Sequence, residues 1–232
     1  HDQRIARAGF GIATFDEQDT AVALRDWHLR HAAGRYRTQL RSEAGGFAFD
    51  FRLAATQPTV LQGGAGFSRK GPKAEQASHY YSRPQLAVTG TLTQHGAPRA
   101  VQGRAWLDHE WSDAYLAPEA VGWDWIGFNL FDGGALMAFR IRHRDGSSFW
   151  AGGSFRAAAD APLQVFAADA VRFTPGRRWP SAATQARYPV EWTVDTPAGR
   201  FGVRALLDAQ ELDSRRSTGA VYWEGLSELL DG

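Results

Sequence analysis

Cysteine is absent from the 232-residue chain, which removes disulfides, thiol catalysis and thiolate metal sites together. That absence leaves the compartment open, because exported proteins can lack cysteine as readily as cytosolic ones. Lysine is nearly absent: Lys70 and Lys73 stand alone among 26 basic residues. The arginine bias is compatible with anion recognition and with coding bias. A surplus of one charge is missing too, since 26 basic residues face 25 acidic ones for a net charge of +1. Phosphate binding needs a positive surplus on at least one face, so nucleic acid is not the expected partner. No apolar run approaches the roughly 20 residues that cross a bilayer as a helix, and no integral membrane segment is expected. The start, His1-Asp2-Gln3-Arg4, is charged with no apolar core behind it and does not read as a signal peptide.

Catalytic signatures are thin as well. There is no Gly-x-Ser-x-Gly elbow for a serine hydrolase. Gly63-Gly64-Ala65-Gly66 lacks the Lys-Ser/Thr ending of a phosphate loop and reads as a turn. No His-x-x-x-His pair or second dense ligand cluster is present, so neither a metal nor a cofactor is expected.

What the sequence does have is period-two alternation. Phe47, Phe49, Phe51 and Leu53 share one face while Ala48, Asp50 and Arg52 share the other. The same pattern runs through Arg35–Arg41, through Val190, Trp192 and Val194, and through Phe201, Val203, Ala205 and Leu207. Turn signals separate the runs at His95-Gly96, Asp132-Gly133-Gly134, Asp145-Gly146 and Pro197-Ala198-Gly199. Thr20–Ala33 is the one candidate helix. Short strands at regular spacing imply an all-β barrel or sandwich. The Pro-containing stretch Ser112–Val121 suggests a boundary, giving domains over 1–115 and 116–232. The 14 Phe, 9 Trp and 6 Tyr either fill such a core or line a cavity for an apolar ligand.

The densest chemistry is Gly103-Arg-Ala-Trp-Leu-Asp-His-Glu-Trp-Ser112. On a strand, Trp106, Asp108 and Glu110 share one face, and Leu107, His109 and Trp111 the other. Neighbouring Asp108, His109 and Glu110 therefore cannot chelate one ion together. Burying a carboxyl among rings raises its pKa and makes Asp108 a candidate general acid. The alternative is that Asp108 or Glu110 pairs with an arginine and His109 bonds a backbone carbonyl. Two further clusters, Ala77-Ser-His-Tyr-Tyr-Ser82 and Gly122-Trp-Asp-Trp-Ile126, set Tyr80 beside Tyr81 and place Trp123 and Trp125 on one face. As a wall, such rings bind flat apolar ligands and stabilise a passing carbocation.

Together these runs resemble the carotenoid 1,2-hydratase-like (AttH-like) family. Val60-Leu-Gln-Gly-Gly64, Leu136-Met137, Tyr188-Pro189, Gln210-Glu211 and Tyr222-Trp-Glu-Gly225 continue in the family's order. The resemblance implies an all-β fold of two successive lipocalin-like antiparallel β-barrel or sandwich domains. Relatives open with a Glu-Trp-Trp-Tyr strand before the position of His1 and close with a Gly-Tyr-Leu-Glu-like strand after Gly232, so the first domain is expected to be incomplete. Export signals among relatives imply an extracytoplasmic location. The activity implied is cofactor-free hydration of a C=C bond in an apolar isoprenoid-like molecule. Asp108 would be the acid, with His109 or Glu110 orienting it or the water. Tyr80, Tyr81, Trp106, Trp111, Trp123, Asp124 and Trp125 would shape the substrate site. Asp108 and Trp111 cannot face one cavity on a regular strand. A β-bulge or a domain junction would relieve that conflict, and the position just before the boundary favours the junction. The alternatives are a lipocalin-like carrier with an ion-paired Asp108 in an open cavity, and a structural β-module with a closed core.

Overall fold

The computed structural model describes residues 5–113, 116–216 and 219–231. Strands and turns account for its regular structure, and no helix occurs among the described residues. In chain order the strands begin with β1 (Ala13–Phe15), β2 (Ala21–Leu24), β3 (Trp27–Ala32), β4 (Arg35–Ser42) and β5 (Phe47–Ala54). There follow β6 (Val60–Leu61), β7 (Phe67–Arg69), β8 (Ala77–Gln94) and β9 (Ala97–Trp111). Next come β10 (Ala120–Asn129), β11 (Ala135–His143), β12 (Ser148–Arg156) and β13 (Gln164–Phe166). The remainder are β14 (Arg172–Pro175), β15 (Arg178–Pro180), β16 (Arg187–Pro189), β17 (Glu191–Thr196), β18 (Gly199–Ala205), β19 (Glu211–Asp213), β20 (Val221–Trp223) and β21 (Ser227–Asp231). The fold is all-β and lipocalin-like.

Two compact units divide the chain, and each is discontinuous in sequence. The first comprises residues 1–56, 86–105 and 210–224; the second comprises 57–85, 106–209 and 225–232. The division at 115/116 read from the sequence falls inside the second unit. Strands β8 and β9 are 18 and 15 residues long, and each contributes part of its length to each unit. Ala114 and Tyr115, inside the Ser112–Val121 stretch, lie outside the described residues.

In the first unit β1 to β5 form an antiparallel meander, and β5 pairs with the second half of β8, Ala54 opposite Ala87 and Phe47 opposite Gln94. The helix expected over Thr20–Ala33 is instead the hairpin β2–β3, with Leu24 opposite Trp27 and Arg25 at φ 57° in the turn. Helix propensity is a weak preference. Here β4 supplies a partner for every residue from His28 to Ala32, and His31 packs on Tyr36 with ring centroids 4.5 Å apart. The His95-Gly96 turn joining β8 to β9 has φ values of 47° and 80°, as a tight hairpin requires.

At Gly90, opposite Phe51 of β5, there is no room for a side chain: a Cβ would collide with the Asp50 carbonyl oxygen. Gly90→Ala is therefore expected to destabilise the first unit by about 1–3 kcal/mol, the usual cost of overpacking. A lowered urea midpoint at unchanged slope would be the reading, and an unchanged midpoint would refute it.

In the second unit β10, β11, β12 and β13 form one antiparallel sheet, and β14, β17, β18 and β21 another. Strand β11 is buried on both faces. Leu136 and Ala138 join a core with Ile126, Phe166, Val194 and Val203. Met137, Phe139 and Ile141 point the other way and pack with Tyr80 and Trp106. The alternation of Val190, Val194, Val203 and Ala205 ends in buried side chains as expected, but Leu207 lies beyond β18 and is exposed.

Candidate functional site

Three side chains of β8 face the same way by the two-residue period: Ser78, Tyr80 and Ser82, at 2%, 3% and 0% exposure. They meet the Trp106, Asp108 and Glu110 face of β9. Asp108 Oδ1 accepts hydrogen bonds from Ser82 Oγ at 2.5 Å and from Trp106 Nε1 at 2.8 Å. The Tyr80 hydroxyl accepts from Trp125 Nε1 at 3.2 Å. Desolvation pushes the Asp108 pKa up from the ordinary carboxylate value. The Ser82 and Trp106 bonds and the neighbouring Tyr80 hydroxyl act against that shift, and the Glu110 charge adds to it. Asp108 remains exposed, so water reaches the carboxyl even while its neighbours desolvate it. Among the described residues Asp108 makes no ion pair with an arginine or lysine, in contrast to the arginine partner considered from the sequence.

Glu110 is paired, but with lysine. Its Oε1 lies 2.8 Å from Lys70 Nζ and accepts from Ser78 Oγ at 2.5 Å. The Lys70 ammonium is buried, sits 4.2 Å from the centroid of the Phe139 ring and 5.0 Å from that of Tyr80, and donates to Ser68 Oγ at 3.2 Å. Burial lowers the Lys70 pKa, and the Glu110 and Asp108 charges oppose that shift. Burial also raises the Tyr80 hydroxyl above its ordinary value, so it is a neutral hydrogen-bond donor across the physiological range.

Trp106 and Trp125 meet edge to face at 6.3 Å. Trp125 fits because position 127 is glycine: a Cβ there would lie 2.4 Å from its ring and 3.3 Å from Trp106. Trp123 lies on the same face of β10 as Trp125, half exposed. Asp124 faces the opposite side, where Arg140 and Arg142 bind it at 2.8 and 3.0 Å. It is an ion-paired strut beneath the sheet, away from Asp108.

The conflict over Asp108 and Trp111 is resolved by separation, because successive residues of a strand point to opposite faces. Trp111 stacks on His79 at 5.3 Å and meets His109 at a tilt at 4.8 Å. His109 Nδ1 lies 3.1 Å from the Tyr81 hydroxyl, a side-chain partner where a backbone carbonyl was the sequence alternative. Thus Asp108, Glu110, Tyr80, Trp106 and Trp125 come together, and His109, Trp111 and Tyr81 form a second, partly exposed group on the opposite face. Ser82 and Trp106, which hydrogen-bond Asp108, belong with it to the second unit.

Sequence reading missed Ser78, Ser82, Gln62, Lys70 and Gly127. Ser78 and Ser82 were legible, since they stand two residues either side of Tyr80. Lys70 had only its rarity as a signal. Gln62 stood only inside the Val60-Leu-Gln-Gly-Gly64 run, its role depending on segments remote in sequence, and Gly127 stands two residues from Trp125 on the same strand. Among the described residues no group of three or more His, Asp or Glu side chains is arranged to hold a metal ion. A separate cleft of about 410 Å³ in the second unit is lined by Phe67, Met137, Phe139, Trp150 and Phe166, with Gln62 in its wall. Asp108 does not line it.

The whole chain, residues 1–232, matches the AttH-like family model. A solved chain from Nitrosomonas europaea assigned as an AttH is 50% identical, with a TM-score of 0.89 over 98% of this chain and 71% of that one. Kievitone hydratase from Nectria haematococca is 20% identical, with a TM-score of 0.69 over 92% of this chain and 71% of its own, a likeness of fold. The curated proteins compared with it contain no match. The whole-chain match, together with the shared fold and the Asp-His-Glu-Trp-Ser and Gly-Trp-Asp-Trp runs set around one carboxyl, makes this protein a member of the AttH-like family.

Proposed function

We propose that the protein is a cofactor-independent hydro-lyase that adds water to a C=C bond of an apolar, isoprenoid-like substrate. The observation that carries this reading is Asp108: a carboxyl with its pKa raised by desolvation, bound by hydroxyl and indole donors and bordered by Trp106, Trp125 and Tyr80. Such a group suits a general acid for an alkene, which offers no polar handle of its own. The acid proton passes to the less substituted alkene carbon as the π pair forms the new C–H bond, leaving a tertiary cation. The ring faces of Trp106 and Trp125 stabilise that cation. A water lone pair forms the C–O bond, and the oxonium proton returns to the Asp108 carboxylate, which restores the acid. The name of kievitone hydratase, a neighbour in fold, describes the same class of reaction.

The test is incubation of the protein with a short acyclic isoprenoid bearing a terminal trisubstituted double bond, in isotopically heavy water. The expected product carries one solvent oxygen on the more substituted carbon and one solvent hydrogen on its neighbour. Binding without oxygen incorporation would replace the enzyme by a carrier of lipids or isoprenoids. That second reading is favoured by the apolar cleft of about 410 Å³, whose size falls within the range of ligand sites.

A further inference from the structure

Behind Asp108 runs a chain of three buried polar side chains drawn from segments far apart in sequence. Ser154 Oγ, on β12, donates to Gln62 Oε1 at 2.7 Å; Gln62 Nε2 donates to Ser82 Oγ at 2.9 Å; Ser82 Oγ donates to Asp108 Oδ1 at 2.5 Å. Gln62 and Ser82 are 0% exposed and Ser154 is 3%, so water does not compete for these groups. Their direction follows from chemistry. A carboxylate only accepts, so Ser82 must donate to it, and its oxygen is then free to accept. The amide of Gln62 must turn its nitrogen to Ser82, which leaves its oxygen for the Ser154 hydroxyl. Reversing the amide would ask the one hydroxyl proton of Ser82 to serve both Gln62 and Asp108.

We propose that Ser154, Gln62 and Ser82 are positioning residues that hold Asp108 Oδ1 as an obligate acceptor and so assign the transferable proton of the acid to Oδ2. Trp106 completes the arrangement, because an indole N–H can only donate and it too ends on Oδ1. Two donors on one oxygen fix the carboxyl plane, and a proton on Oδ1 would oppose both. The inference rests on the reading of Asp108 as the acid. It adds that acid strength and proton placement are set by residues that need not touch substrate. The Ser82 donor stabilises the ionised form, so removing it raises the proton affinity of Asp108 further. Gln62 acts one step back by denying Ser82 any other use for its proton.

The experiment is a titration of the Asp108 carboxyl by infrared difference spectroscopy, with Asp108→Asn identifying its band, in the wild type, Ser82→Ala and Gln62→Leu. The midpoint is expected to move to higher pH in both variants, further in Ser82→Ala, where the donor itself is gone. Circular dichroism identifies a variant that has not folded, and Gln62→Leu and Ser82→Ala open the chain at different links, so either one folded suffices. An unmoved or lowered midpoint in a folded variant overturns the proposal, whatever the enzyme does. A raised midpoint in a protein that hydrates no alkene would uphold the positioning chain and defeat the hydratase reading. In an active protein, the alkaline limb of the rate profile should follow the same displacement.

Discussion

Asp108→Asn is expected to lower hydration by about 10²–10⁴-fold, the contribution of a positioned general acid, while raising the melting temperature at neutral pH. The two effects have one cause. Asparagine keeps an oxygen for Ser82 and Trp106, so the buried donors stay satisfied, but it has no proton to give an alkene. It also removes a carboxyl whose ionisation the fold resists. The pKa of Asp108 is raised in the folded protein, chiefly by desolvation. Below the unfolded carboxylate value of about 3.9 both states hold the proton, and the two proteins should differ little on this account. As pH rises from there the unfolded chain ionises first, and the wild type loses stability until Asp108 ionises in the folded state as well. The advantage of Asp108→Asn should therefore grow with pH through this window and then level off. Wild-type turnover in the variant would end the acid assignment, and a lower melting temperature at pH 7 would end the desolvation argument.

Glu110→Gln should carry the largest stability loss near the site, about 2–4 kcal/mol. Removing one partner of a fully buried ion pair costs roughly 3–5 kcal/mol, and the range is reduced because the Glu110 side chain is 28% exposed. The remaining Lys70 charge keeps the Phe139 and Tyr80 rings and the Ser68 hydroxyl, but these do not replace a carboxylate at 2.8 Å. At about 2–4 °C per kcal/mol for a chain of this length, the melting temperature should fall by roughly 5–15 °C. The pH dependence follows from the lowered Lys70 pKa. Between its folded value and the unfolded lysine value of about 10.4, the unfolded chain holds more protons, so stability rises with pH. Losing Glu110 widens that window downward, and the gap between variant and wild type should narrow in alkaline solution. Adding Lys70→Met should recover most of the loss, since a volume-conserving apolar residue often replaces a buried pair without penalty. Equal losses in the double and single variants would show that the pair is not the source.

Much of this protein can be read along the chain, and the reasons are local. Period-two alternation dictates strands because one sheet face is buried, and it holds from Phe47 to Leu53 and from Val190 to Val203. It also divides the Trp106–Trp111 run correctly: Asp108 with Trp106 and Glu110, His109 with Trp111. Chain-adjacent residues of a strand cannot share a face, so grouping His109 with Asp108 by proximity in sequence overrode a signal the same sequence contained. Thr20–Ala33 failed for the opposite reason. Its weak helical pattern was outweighed by hairpin pairing, β2 with β3 inside the segment and β3 with β4 just beyond it.

Composition and alternation were enough to determine an all-β chain and to place Trp106, Asp108 and Glu110 on one face of one strand. Tertiary structure alone decided the company those carboxyls keep. Gln62 and Ser154 are separated by 92 residues, and Lys70 reaches Glu110 across 40 positions. A buried hydrogen bond or ion pair forms wherever the fold brings donor to acceptor, whereas alternation records only which side of a strand each residue occupies. The side is a property of the backbone, written residue by residue; the partner belongs to the packing of strands that meet only when the chain has folded.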